Sequence, residues 1–127
     1  MAGKFSLDLT KFCEKAKVAP IIVMKKVCFD MGARIQARTP KDTVRAATGW
    51  QWGVQTIPTY LPPPGKYPWP QPPQVPGFKA DDVLFLANNV EYITVLESGS
   101  SDQAPYGMMK VTITEYQDYV ARAVASL

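Results

Sequence analysis

The sequence contains no histidine and only two cysteines in 127 residues. The first absence removes the commonest general base and metal ligand, so a Ser-His-Asp or Cys-His site cannot be built in its usual form. Cys13 and Cys28 make no Cys-x-x-Cys pair for zinc. Both fall within one helical pattern, which would hold them about 22 Å apart, too far for a disulfide. They read as two small buried hydrophobes. No glycine-rich phosphate loop is present.

Long apolar runs are missing too. The longest, Ala19 to Met24, runs straight into Lys25-Lys26 and falls short of the roughly 18 residues that span a bilayer. The opening MAGKFSLDLTKF lacks the apolar middle region of a signal peptide, which predicts synthesis in the cytoplasm. Asp81-Asp82 is the nearest thing to a carboxylate pair, but adjacent strand residues point to opposite faces. Glu97, ahead of a serine-glycine turn, reads as an acceptor of backbone hydrogen bonds or a lysine partner rather than a lone base. The residues therefore predict a protein that is not an enzyme.

What is present suits one domain spanning residues 1–127: 46% of the chain is hydrophobic and 20% charged. The net charge of +3 is unevenly divided. Residues 1–45 hold ten Lys/Arg against four Asp/Glu, and residues 46–127 hold four against seven. Such a division suits binding to something acidic, or to copies of itself.

Leu9, Phe12, Cys13, Ala16, Val23, Val27, Met31 and Ile35 recur at three- and four-residue steps, predicting a long helix from about Leu7 to Ala37. Pro20 either kinks it or starts a second helix; the stripe keeps phase across the proline, which favours a kinked continuous helix. Thr39-Pro40 ends it. Trp50, Trp52, Val54 and Thr56 share one parity and predict a strand. Nine of the twelve prolines then lie between Pro58 and Pro76. This stretch, 58–77, is an extended arm of polyproline character, expected to lie away from its own core and to reach another subunit through Tyr60, Tyr67 and Trp69 as candidate anchors; a long surface loop between two strands is the alternative. A second strand follows over 81–87, then a short helix from Val90 stopped near Gly99, then one helix from Tyr106 or Gly107 to about Ser126. The fold class is α+β: a small antiparallel sheet, with the arm between its strands, packed against helices.

One C-terminal string carries a resemblance. Asn88-Asn89-Val90-x-Tyr92, Leu96-Glu97-x-Gly99-x-Ser101 and Gln103-Ala104-Pro105-x-Gly107-Met108 resemble the "N-N-x-x-Y-A…L-E-x-G…Q-A-P-x-G-M" pattern of tailed-bacteriophage neck and tail-completion proteins, the relatives of the lambda minor tail protein Z and its HK97 counterpart. Upstream, Thr39-Pro40-Lys41-Asp42-Thr43-Val44-Arg45 and Trp50 resemble that family's "T-P-V-D-T-G-R…W", with Val44 where the pattern has glycine. The matches bracket Thr39 to Met108; the proline arm lies between them and is not part of the resemblance.

The resemblance implies a virion structural protein, assembled as a homo-oligomeric ring (a hexamer by preference) between the head connector and the tail-terminator or tail-tube proteins. DNA would pass through without sequence-specific contact, no cofactor is implied, and no membrane is involved. The string then reads as fold-making. Asn88 and Asn89 bridge a turn, Tyr92 and Leu96 pack the short helix onto the sheet, Gly99 ends that helix, and Pro105 and Gly107 open the last one. The ring surface is sought elsewhere, on the arm and on Lys25, Lys26, Arg34 and Arg38. A small basic nucleic-acid-binding module is the alternative, its lysines and arginines tracking phosphates and Trp50, Trp52 and Trp69 stacking on bases. A peptide-ligand role for the arm is a third idea.

Overall fold

The structure, a computed structural model, describes residues 19–99 and 101–127. In chain order these form helix α1 (Pro20–Ala37), helix α2 (Arg45–Thr48), strand β1 (Gln51–Val54), strand β2 (Leu84–Ala87), helix α3 (Ile93–Glu97), helix α4 (Met109–Ile113) and helix α5 (Tyr116–Ala125). The class is α+β, with one two-stranded antiparallel sheet.

The long first helix is not continuous through Pro20. Ala19 is extended, at φ −73° and ψ 127°, and Pro20 takes the first helical position. There its fixed φ suits the helix and its missing N–H needs no partner. The stripe that kept phase across the proline belongs to α1 only from Val23 onward; Leu9, Phe12, Cys13 and Ala16 lie outside the described residues. Val23, Val27 and Met31 pack against Tyr119, Val120 and Ala123 of α5. Ile35, one turn further, joins Trp50, Ala104 and Met108 in a second cluster, onto which Leu86, Ile93 and Leu96 pack. So α1 is the spine of two adjoining cores. Cys28 is buried in it as a free thiol, and burial pushes its pKa up to about 12.

The strands are short. Gln51 pairs with Ala87 and Val54 with Leu84. Trp50 sits just before β1 and is buried; Thr56 lies beyond it and is exposed. The expected second strand begins late, because 79–82 form a turn in which the Asp82 carboxylate accepts the Lys79 N–H at 2.7 Å. Asp81 and Asp82 are thus turn residues, not strand neighbours.

The single C-terminal helix expected from Tyr106 or Gly107 is two helices. The β-branched run Val111-Thr112-Ile113-Thr114 crowds helical rotamers. Thr112 and Thr114 also turn their hydroxyls onto the carbonyls of Met108 and Val111, at 2.7 and 2.6 Å, a pattern that bends helices. The break falls at Thr114-Glu115, where Glu115 reaches for Arg38.

Helix α2 was not expected. Its first residue follows Val44, which has φ 66° and ψ 0°. A β-branched residue in the left-handed region is an outlier, costing roughly 1–2 kcal/mol. This is the position where the phage-family pattern carries glycine. Val44→Gly is therefore expected to stabilise the chain by about 1 kcal/mol, read as a higher urea midpoint at unchanged m-value. A lower midpoint would mean that the half-buried Val44 side chain outweighs the strain.

Candidate interface and the motif brace

Glu97 is the last residue of α3, and its carboxylate reaches across to the start of α4. It accepts the backbone N–H groups of Met108, Met109 and Lys110 at 3.1, 2.9 and 2.9 Å. The first turn of a helix has no partners of its own for these donors, so a carboxylate from another helix caps it. Two glycines make the approach possible. Gly99 has φ 91° and Gly107 has φ 82°. A Cβ on Gly99 would strike the Pro105 carbonyl, and one on Gly107 would strike the Glu97 carbonyl. Gly99 follows the α3 C-cap, Ser98, as expected of a helix-ending glycine. Pro105 does not open the last helix; it sits in the turn that Gly107 closes, four residues before α4.

The two motif strings meet in space. Gln103 accepts the Lys41 N–H at 2.7 Å and donates to the Asp42 carboxylate at 3.2 Å. Ala104, beside it, is buried in the same cluster as Trp50. Trp50 in turn donates its indole N–H to Thr39 Oγ1 at 2.8 Å, and Thr39 passes its own proton to the Ile35 carbonyl at 2.8 Å. Thr39, Asp42 and Trp50 from one string and Glu97, Gly99, Gln103 and Gly107 from the other build a single brace. Asn88 closes an Asx turn on the Val90 N–H at 3.1 Å and donates to the Ala46 carbonyl at 2.7 Å. Leu96 packs on the core as expected. Tyr92 does not pack on the sheet; it is exposed, with the Arg45 guanidinium 6.0 Å from its ring.

The arm does not stand clear of its own body. Pro62 and Pro73 are buried, and side chains of the body grip the arm by its backbone. Asn89 donates to the carbonyls of Pro58 and Tyr60, both at 3.0 Å, and Gln51 to Tyr60 at 2.7 Å. Arg45 Nε donates to Pro62 at 2.9 Å and Gln36 to Gln71 at 3.0 Å. The Tyr67 N–H donates to Thr43 at 2.8 Å. Prolines cannot donate but keep their carbonyls, so amide and guanidinium donors suit them. Tyr67 folds its hydroxyl back onto the Pro63 carbonyl. Trp69 lies with Lys41 Nζ 5.1 Å from its ring. Tyr60, Leu61 and Trp69 still present their side chains outward.

Two arginines are committed internally. Arg45, buried, is 3.0 Å from the Glu91 carboxylate, and this bond holds Glu91 below the usual carboxylate range. Arg38 makes a two-pronged pair with Glu115 at 2.7 and 2.8 Å and also donates to Thr112 Oγ1 at 2.8 Å. It ties α1 to the α4–α5 break, so the guanidinium of this interface candidate is committed within the chain. Lys26 pairs with Asp30 at 3.2 Å on the exposed side of α1. Lys25 has its ammonium 5.9 Å from the Phe78 ring, and Arg34 is exposed at an open groove between α1 and α5. Of the contacts named for the nucleic-acid alternative, Arg38, Arg45, Trp50 and Trp52 are thus engaged within the chain, Lys25, Lys26, Arg34 and Trp69 are exposed, and Lys11, Lys15 and Lys17 lie outside the described residues.

The Arg38 hydrogen bond lowers the Glu115 pKa from its ordinary 4.5, against a smaller opposing effect of burial. A lowered carboxylate stabilises the fold fully above the ordinary value and loses that contribution as pH falls through the lowered one. The melting temperature of the parent is thus expected to exceed that of Glu115→Gln at pH 7. The gap should close as pH drops below about 4.5. A gap that is unchanged at pH 3 would contradict the pairing.

Gln36 and Glu115 carried no signal in the sequence; Arg45 carried one, as the arginine of the upstream string, though not as a grip on the arm. Comparison with protein-family models, curated proteins and solved structures finds no match for this chain.

Proposed function

We propose that this chain is a structural protein of a tailed-phage virion. It would form a homo-oligomeric ring, a hexamer by preference, at the joint between the head connector and the tail-terminator or tail-tube proteins. The observation that carries the reading is the brace. Two strings some sixty residues apart, each resembling the same family, touch through Gln103 with Lys41 and Asp42. A chance likeness in two separate stretches has no reason to converge on one contact. The glutamate of the string has a mechanical duty that accounts for its spacing to Gly107-Met108. In this reading the chain does no chemistry: it holds a channel closed around DNA in passage and needs no cofactor.

The test is genetic and visual. Removing the coding sequence from the phage that carries it should leave separate heads and tails in electron micrographs, and supplying the chain in trans should restore joined particles containing it. Joined, infectious particles without the chain would overturn the proposal.

A further inference from the structure

The two-stranded sheet has two edges, and its ladder shows which groups stand on them. The Gln55 N–H donates to the Val83 carbonyl at 2.8 Å, one step beyond the Val54–Leu84 pair. In an antiparallel ladder that bond marks Val54 and Leu84 as a pair that exchanges no hydrogen bonds. By alternation Gly53–Phe85 and Gln51–Ala87 are bonded pairs, and Trp52–Leu86 is another unbonded one. The N–H and C=O groups of Trp52 and Val54 therefore point away from β2, and those of Leu84 and Leu86 point away from β1. Among the described residues none of these groups has a hydrogen-bond partner.

Natural sheets guard such edges with charge, proline or a bulge. Here β1 reads Gln-Trp-Gly-Val, and β2 with Val83 before it reads Val-Leu-Phe-Leu-Ala, in unbroken register and with neither charge nor proline. The arm does not supply a third strand. Its carbonyls at Pro58, Tyr60, Pro62 and Gln71 accept side-chain donors, and its Tyr67 N–H goes to Thr43. Helix α1 covers a face of the sheet rather than an edge: the Trp52 indole lies on Gly32, and Leu86 packs on the cluster of Ile35. Every residue of both strands is half-buried, so each keeps surface to lose.

A donor and an acceptor on every second residue fit one kind of partner, another extended backbone. The chain carries two such edges, and they complement each other. We infer that the β2 edge of one copy pairs antiparallel with the β1 edge of the next, so that one sheet runs from copy to copy. Leu84 and Leu86 then exchange N–H···O=C bonds with Val54 and Trp52 of the next copy, which repeats on the outer side of β2 the antiparallel step already present on its inner side. The partner is a second copy of this chain, in a head-to-tail contact. Such a contact generates a ring when the rotation closes, and a sheet closed on itself has no edge left. The inference rests on the ring reading above and assigns its contact. Pairing of β2 with β2 would give a two-fold dimer instead and leave both β1 edges bare.

The experiment replaces one backbone amide at a time by an ester, which deletes an N–H and keeps the side chain. Full-length chains carry the α-hydroxy acid at Leu86, at Val54 or at Phe85. Phe85 is the control, because its N–H donates within the ladder. In dilute protein the Phe85 ester should melt clearly below the parent, and the Leu86 and Val54 esters close to it. Sedimentation velocity of the concentrated parent should show an oligomer, and the Leu86 and Val54 esters should each assemble about tenfold more weakly. Hydrogen exchange at the Trp52, Val54, Leu84 and Leu86 amides should be fast in the monomer and slow as the oligomer forms. A Leu86 ester that melts as early as the Phe85 ester, or a Leu86 amide already slow in the monomer, overturns the inference, because the edge is then closed within the chain. An oligomer weakened at Leu86 but not at Val54 overturns it in favour of β2 on β2. An oligomer in which the four amides stay fast, or a parent that is monomeric at all concentrations, also overturns it, while the virion reading is judged separately by the particle experiment. Both ester effects together with joined particles lacking the chain would keep the sheet contact and discard the virion reading.

Discussion

Gly107→Ala is expected to cost on the order of 3 kcal/mol, at the upper end for a single strained backbone position. Two effects add. The residue stands at φ 82°, where any side chain is strained. Its new Cβ would also fall within contact distance of the Glu97 carbonyl and 2.8 Å from Oε2. A backbone oxygen cannot rotate away, so the turn must shift, and with it the carboxylate that caps Met108, Met109 and Lys110. Urea unfolding should show a large drop in midpoint. Gly77→Ala is the control. No atom lies within 4 Å of its added Cβ, and the change should stay within about 0.5 kcal/mol. Equal effects at the two glycines would mean that the brace yields freely and is no brace.

Removing the arm is expected to harm the fold, and this replaces the simpler expectation that an arm serving only a neighbour could be cut away from an intact monomer. Joining Tyr60 to Val75 through a short glycine linker deletes Leu61 to Gln74. It takes away the buried Pro62 and Pro73. It also removes the carbonyls that receive Arg45 Nε and the Gln36 amide. Gln36 keeps only a longer bond of 3.4 Å to Ala47, and Arg45 loses the acceptor of its Nε while keeping Glu91 and the Tyr92 ring. Buried donors left without acceptors are costly. The melting temperature should fall by at least about 5 °C. A deletion that melts with the parent would show that the body does not depend on the arm it grips.

The sequence disclosed elements wherever local chemistry decides. The α1 stripe from Val23 onward, the presence of a strand at 52–54, the helix-ending role of Gly99 and the acceptor role of Glu97 all follow from spacing and residue type; the buried parity did not hold, since all four residues of β1 are half-buried. It misled where a local preference and a tertiary demand point different ways. The phase across Pro20 suggested one helix, but proline is better placed at a helix start than inside it. The C-terminal periodicity hid a break at Thr114-Glu115, where the β-branched run 111–114 crowds the helix and Glu115 pairs with Arg38, far away in sequence. The arm read as detached because prolines cannot join a ladder. That argument counts donors and overlooks acceptors: each arm carbonyl can still be gripped by a side chain from the body. Gln36 and Arg45 could not be found as grips, since nothing adjacent to them says where the arm will pass.

The manner of that grip has a consequence for how the chain can change over time. Asn89, Gln51, Arg45 and Gln36 hold the arm by groups that every residue possesses, whatever its side chain. The path across the body is thereby separated from the identity of the outward residues along it. Tyr60, Leu61 and Trp69 can be exchanged for other side chains without loosening the strap beneath them. A surface mounted in this way can be refitted to a new partner by substitution alone, while the frame that carries it stays as it is.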